Sequence, residues 1–411
     1  MTMRQAKSPG MAALALLAVV ILAAGALGAP AAIAEDDKPQ FEVYGFAQVD
    51  YIQDFDRVNP AWTDTLRPSK IPTIEGLYGA DGQAIISARQ SRLGALANFP
   101  TSNGAVFTKI EFDFFGVGGD EGQTTIRLRH AYGQWKQWLG GQTNSLFMDG
   151  SIFPNVVDYW GPCGMVFLRT PQIRWTPVSG DTSFAIAIEK PSNDIDPGQI
   201  REFDPALAED ITASQRVPDL TAQFRMQDGW GHIQFAGILR QISFDTPDTP
   251  NNEPKDSKLG WGLDVTSGIK VGAKDQVLLG VVYGEGIATY MNDGGMDLAP
   301  EGPSVPEAEA KAVPLLGISA YFDHYWSERL STSFGYSRTQ VDNTNLQESA
   351  AFNTGQYASA NMIYYPTKNV FIGFEGLWGE RQDNGGATGD DVRVQVSFHF
   401  NFSSKDIFKK D

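Results

Sequence analysis

The sequence predicts an all-β protein, a transmembrane antiparallel β-barrel of about sixteen strands with short periplasmic turns and long external loops. Three observations carry this expectation. Apolar and polar residues alternate along many segments, short and long connections follow one another strictly, and Trp and Tyr gather beside the short ones. No apolar stretch after the N-terminal region approaches the roughly 20 residues of a membrane helix, so any crossing is made by strands.

At the N-terminus, Arg4 and Lys7 precede an apolar run from Met11 to Gly28, followed by Ala32-Ile33-Ala34 and the acidic Glu35-Asp36-Asp37. That order reads as a secretory signal peptide over residues 1–34, leaving a barrel over 35–402 and a short tail over 403–411. Loss of the two basic residues, with no acidic one, takes Lys+Arg from 32 to 30 against 49 Asp+Glu, a net charge of −19. So negative a chain repels nucleic acid. The lone cysteine, Cys163, excludes an intramolecular disulfide and suits a small apolar filler. No linker, heptad repeat or low-complexity tract divides the chain after residue 34.

Strand side chains point alternately to opposite faces. In the last segment Val392, Val394, Val396, Phe398, Phe400 and Phe402 share one face, and Arg393, Gln395, Ser397, His399 and Asn401 the other. Leu220, Ala222, Phe224 and Met226 likewise oppose Thr221, Gln223, Arg225 and Gln227, while Val106, Ile110, Phe112 and Phe114 oppose Lys109, Glu111 and Asp113. A soluble sandwich also alternates, and the connections decide between the two. Short turns fall at Pro100–Gly104, Trp135–Trp138, Val178–Asp181, Asp228–Gly231, Gly272–Asp275, Trp326–Glu328 and Pro366–Lys368. Between them run polar, Gly/Pro/Asp-rich loops at 54–83, 116–123, 143–170, 190–216, 243–258, 285–312, 340–351 and 380–391. Fifteen connections join sixteen strands with both ends on the short-turn side, as in outer-membrane barrels. Trp135, Trp138, Trp175, Trp230, Tyr325, Trp326, Tyr364 and Tyr365 then form a periplasmic girdle.

A barrel of this size is too wide for its wall side chains to fill, so it leaves an aqueous channel. With Leu128 and Tyr132 taken as lipid-facing, Arg127 and Arg129 point into the lumen, and the same parity places Arg92, Arg174, Arg225, Arg240 and Arg393 there. Arg89 has the opposite parity unless a bulge intervenes. Guanidinium groups match carboxylates and phosphates, so an arginine-lined throat selects anions. The bland alternative pairs these arginines with Glu111, Asp113, Asp264 and Glu375 in a wall without preference. The loop 143–170 carries Phe147, Asp149, Phe153, Asp158, Tyr159 and Trp160, too many large apolar groups for full exposure. It is expected to fold inward as a constriction, against the alternatives of packing on other loops or burial in a subunit contact. Acidic external loops, such as Asp194–Asp210 and Glu301–Glu309, read as solvated surface without calcium-loop spacing.

No catalytic constellation is recognised. His130 falls on apolar parity, His232 and His399 on polar parity, and none of these or His324 joins a Ser or Cys arrangement. The Gly116–Gly122 stretch opens no helix and fails as a phosphate loop. No cofactor and no metal is expected.

Tyr44-Gly45-Phe46-Ala47-Gln48, Ala88-Arg89-Gln90-Ser91-Arg92-Leu93-Gly94, Arg129-His130-Ala131-Tyr132 and Gly141-Gln142-Thr143 before Phe147-Met148-Asp149 resemble the DcaP-like family of outer-membrane channels. The resemblance spans nearly the whole chain after residue 34 and is strongest over 41–177. It implies a homotrimer of sixteen-stranded barrels admitting small anionic solutes such as dicarboxylates, with Arg89, Arg92, Arg127 and Arg129 as pore arginines. Two features depart from the family: only about six residues separate the cleavage site from the first strand, where some members carry a helical extension, and Ser403–Asp411 follow the terminal aromatic Phe402. The expected function is a porin in the Gram-negative outer membrane, selective for organic anions and in contact with lipid and lipopolysaccharide. The alternatives are a non-selective general porin, or a barrel serving mainly as adhesin or anchor.

Overall fold

The computed structural model describes residues 38–116 and 125–407. The signal-peptide reading, most of the Gly116–Gly122 stretch and the end of the tail lie outside them. The described chain closes into a sixteen-stranded antiparallel barrel. The strands are β1 (Gln40–Asp54), β2 (Gln83–Ser87 and Arg92–Phe99), β3 (Val106–Asp113), β4 (Arg127–Trp135), β5 (Trp138–Asn144), β6 (Arg169–Val178), β7 (Thr182–Glu189) and β8 (Asp219–Asp228). They continue as β9 (Gly231–Asp245), β10 (Asp256–Val271), β11 (Asp275–Glu285), β12 (Pro314–Ser327), β13 (Leu330–Val341), β14 (Phe352–Thr367), β15 (Val370–Asp383) and β16 (Thr388–Ser403). Each pairs with its neighbour, and β1 pairs with β16 from Tyr44 opposite Ser403 to Asp54 opposite Arg393. Closure leaves no ladder edge to lipid, where an unpaired amide costs several kcal/mol (about 2–7).

Polarity is inverted relative to a soluble protein. On β16, Gln395 and Ser397 are fully buried inside, while Phe398 and Phe400 are 42% and 49% exposed on the outer wall. The seven short turns and six of the eight loops fall where the sequence places them, and 116–123 lies almost wholly outside the described residues. The exception is 380–391: β15 runs to Asp383 and β16 starts at Thr388, so this connection is a tight turn and not a loop. The acidic, glycine-rich segment misleads because its charged residues belong to strand ends rising above the membrane.

Two wall irregularities shift the expected parity. β2 breaks at residues 88–91, so that Ser87 and Arg92, five positions apart, both face inward, paired with Asp50 and Phe46 of β1. In β4 a bulge lets Glu111 oppose His130 while Phe112 opposes Leu128. An extra residue in one strand flips every later side chain. Tyr132 therefore faces inward opposite Lys109, correcting its lipid-facing assignment, and His130 is turned to Thr143 Oγ1 (3.0 Å) and not to lipid. Trp135, Trp138, Trp230, Trp326 and Tyr364 are exposed on the outer wall beside the short turns. Tyr365 leaves the expected girdle, because alternation beside the outward Tyr364 turns it inward to Ser331 and Asn155.

Three connections turn into the barrel: residues 55–82, 145–168 and 286–313. Their apolar side chains meet inward-facing strand residues in two buried clusters. One gathers Phe147, Val166, Ile287, Tyr290 and Met291 against Ile238, Val282, Leu315 and Val341. The other gathers Val58, Leu66, Ile71, Ile152 and Met165 against Leu278, Tyr321, Tyr357 and Leu377. Cys163 lies in this second cluster, its thiol pushed up to about 12 by burial, and serves as an apolar filler there. At Gly164 the inner loop presses so flat against β12 and β13 that a Cβ would stand 2.1 Å from the Arg338 carbonyl oxygen.

Arg393 pins the first inner loop. Fully buried, it donates to Asp54 and Asp391 (both 2.9 Å) and to the carbonyls of Thr63 and Thr65 (2.8 and 3.1 Å). Arg393→Ala, by stranding two buried carboxylates, is expected to destabilise the barrel by about 3–5 kcal/mol. Urea unfolding in detergent, followed by heat-modifiable gel mobility, measures that loss.

Candidate pore constriction

The inner loop 145–168 crosses the barrel interior on pegs supplied by the wall. Asp149 accepts from His232 Nε2 (2.8 Å), Thr266 Oγ1 (2.7 Å) and Arg225 (3.2 Å) of β8–β10. Burial opposes its charge, but the donors from His232, Thr266 and Ser151 hold the carboxyl below the ordinary range. Asp323 of β12 accepts the Asn155 N–H, and Glu375 of β15 accepts those of Val157 and Asp158. Asp158 in turn accepts from Thr65, Leu66, Trp160 and Tyr357. The apolar Phe147 is buried and Phe153 packs beside the second core cluster.

A clamp joins the three inturned segments. Arg67 lies between the rings of Trp62 and Trp160, 4.2 and 4.0 Å from their centroids, and pairs with Asp293 (2.9 Å). Asp293 also accepts from Ser69, and Trp160 Nε1 donates to the Asn292 carbonyl (3.0 Å).

Opposite these pegs, β2–β4 carry a cationic wall. Arg127 grips Asp113 through Nε and Nη2 (3.2 and 2.9 Å). Arg129 bridges Glu111 and Asp113 (both 2.9 Å), and Tyr159 donates to Asp113 (2.6 Å). Lys109 pairs with Glu111 (3.1 Å), with Arg92 farther off at 3.7 Å. The Tyr159 ring stacks on Phe115 at 3.8 Å, so the inner loop touches this wall also. Arg92, Lys109 and Arg127 keep 26%, 22% and 30% of their side chains accessible.

The eight arginines singled out from sequence separate into groups. Arg92, Arg127 and Arg129 meet in one cluster. Arg89 is buried beside it, tied to Asp64 (3.2 Å) and the Gly116 carbonyl (2.7 Å). Arg174 donates to Gln172 (2.9 Å) and to the Asn144 carbonyl (2.6 Å), with no carboxylate at ion-pair distance among the described residues. Arg225 holds the inner loop through Asp149 and Ser151. Arg240 and Arg393, at 2% and 1% exposure, lie beyond a solute's reach; Arg240 pairs with Asp219 and Asp297. The loop carboxylates also sort themselves, since Asp149 and Asp158 are buried anchors.

Sequence reading missed Arg67, Arg169, Lys109 as a wall cation, and the inturning of 55–82 and 286–313. The signal used for 143–170 was present in both: Trp62, Leu66 and Ile71 in one, Ile287, Tyr290 and Met291 in the other. Among the described residues no three His, Cys, Asp or Glu side chains converge as a metal set.

The model of the DcaP outer membrane protein family matches residues 29–402. The chain belongs to that family. The DcaP outer-membrane channel of Acinetobacter baumannii is 23% identical and superposes with a TM-score of 0.74 over 90% of this chain and 100% of its own. OmpF of Salmonella typhi follows the same fold at 12% identity and a TM-score of 0.54, over 90% of this chain and 99% of its own. OmpT of Vibrio cholerae, in a trimer form, is 12% identical with a TM-score of 0.52 over 89% and 100% of the two chains. No curated protein sequence matches the chain.

This DcaP-family member is thus a porin channel of the Gram-negative outer membrane; its family and structural neighbours are channels and not enzymes. In this chain residues 145–168 fold into the barrel interior, together with 55–82 and 286–313. Replacing Arg67 by Ala removes both ring contacts and the Asp293 pair, and is expected to loosen the three segments. Single-channel recordings of Arg67→Ala should show larger, noisier conductance; wild-type traces would mean that the clamp does not set the passage.

Proposed function

We propose that this porin conducts small organic anions, dicarboxylates among them, past the β2–β4 wall. One observation carries the reading. Arg92, Lys109, Arg127, Arg129 and the adjacent Arg169 share only Glu111 and Asp113 among the described residues. Asp149, Asp158, Asp323 and Glu375 are engaged in holding the inner loop. A surplus of cations at a narrowing attracts oxyanions, and guanidinium forks match carboxylates in shape.

The test is the reversal potential of the purified protein in a planar bilayer under a salt gradient, at low ionic strength where screening is weak. Anion preference and block of the current by a small dicarboxylate are the expected results. Arg127→Ala with Arg129→Ala should lower or reverse that preference, since Glu111 and Asp113 lose their partners, while the barrel remains heat-modifiable. Equal cation and anion permeability in the wild type would favour a general porin; absence of conductance would favour an adhesin or anchor.

A trimer is the second part of the proposal. The outer face of β2–β5 carries the small residues Ala95, Ala97, Thr108, Ala131, Gly133 and Gly140 between Leu93 and Ile110, and β3–β5 have only 7–9 residues, whereas β14 and β16 have 16. A lipid-facing strand needs about 9–11 residues, so this short side with many small residues suits contact with a second copy. At Gly140 an added Cβ meets no atom within 4 Å of the same chain. Gly140→Trp should therefore fold yet shift the mass in detergent, by light scattering, from trimer towards monomer; an unchanged trimer would place the contact elsewhere.

A further inference from the structure

We propose that Arg169 is a specificity-determining residue of this channel, the guanidinium that receives a carboxylate of the passing anion. The inference rests on the anion-channel reading and assigns the group that does the gripping.

Arg169 opens β6, where the inner loop rejoins the wall, and stands opposite Asn144 of β5. Its guanidinium lies 5.0 Å over the ring of Phe167, which packs against Phe153 of the inner loop at 5.3 Å between centroids. The platform fixes the group by its face and leaves its N–H edges free. Among the described residues no carboxylate lies within ion-pair distance of it, in contrast to Arg89, Arg92, Arg127, Arg129, Arg225, Arg240 and Arg393.

Most neighbouring acceptors are already engaged, although the side-chain oxygen of Asn144, the residue opposite, is buried without a hydrogen-bond partner. Asp113 takes Arg127, Arg129 and Tyr159; Glu111 takes Arg129, Lys109 and Tyr44. The Asn144 carbonyl opposite is held by Arg174 at 2.6 Å. The charges of Arg129, Arg127, Asp113 and Arg92 are among those that act on Arg169. A partly buried guanidinium with unused donors among like charges is satisfied by a planar oxyanion from solution, bound through two parallel hydrogen bonds. Arg127 and Arg129 are spent largely on the wall's own carboxylates, so they supply background potential while Arg169 supplies the fork.

The experiment compares wild type, Arg169→Gln and Arg169→Lys in planar bilayers, reading reversal potential and block of the chloride current by succinate and by acetate. Arg169→Gln should move the reversal potential towards zero and weaken succinate block about tenfold, the worth of one charge-assisted pair. Arg169→Lys, with the charge but not the fork, should keep the potential and still lose the block. A merely structural arginine would alter unfolding in detergent without separating these two readouts. If the wild type is anion-selective and blocked by succinate but Arg169→Gln matches it, the assignment of Arg169 fails alone. A wild type without anion preference or block overturns the anion-channel reading, and this assignment with it.

Discussion

The structure depends on buried carboxylates of the barrel interior accepting backbone N–H groups from segments folded into it. A loop cannot enter a lumen with its amides unpaired, because each buried orphan costs roughly 1–3 kcal/mol. Asp323 and Glu375 on the wall meet Asn155, Val157 and Asp158, and Glu189 meets Leu146. Within the inturned segments, Asp158 and Asp293 do the same for Leu66 and Ser69. Apolar contacts then fill the space between these pegs, which makes one side of the interior a packed core facing the charged wall of β2–β4.

That use of carboxylates has an electrostatic consequence. A chain with 49 acidic and 32 basic residues is strongly negative, yet net charge says little about a site whose acids are committed to structure. Where Glu111 and Asp113 stand against a cluster of arginines and Lys109, the local balance is positive. The field at a constriction is set by groups within a Debye length, about 8 Å at physiological salt, and not by the overall sum. Asp194 and Glu202, on an external loop, are exposed to solvent.

Much of the fold was legible because strand periodicity and turn chemistry are local. Alternation identified the lumen face of β16 and β8, and the short turns identified the periplasmic end. Failure came where one residue changes parity. The break at 88–91 turns both Ser87 and Arg92 inward, and the bulge near Glu111 turns Tyr132 and His130 away from lipid. Such irregularities depend on cross-strand register, which no single strand records. At the candidate site, Arg127 and Arg129 could be placed by alternation, whereas Arg169 sits at a strand end where periodicity has no purchase.

By itself the sequence determined a closed barrel with an inverted polarity, because side-chain alternation over sixteen segments admits one economical way to satisfy both lipid and backbone. It also determined that loop 143–170 had to be buried, since its aromatic content is too great for solvent. Only the tertiary structure decided which arginines are accessible and which are sealed. Arg240 and Arg393 are chemically the same as Arg92 and Arg127, but they lie where inturned loops supply carbonyls and carboxylates at hydrogen-bond distance. Contacts 21 to 57 positions away for Arg240 and 328 to 339 positions away for Arg393 make that difference, and they arise only once the barrel has closed around its own loops.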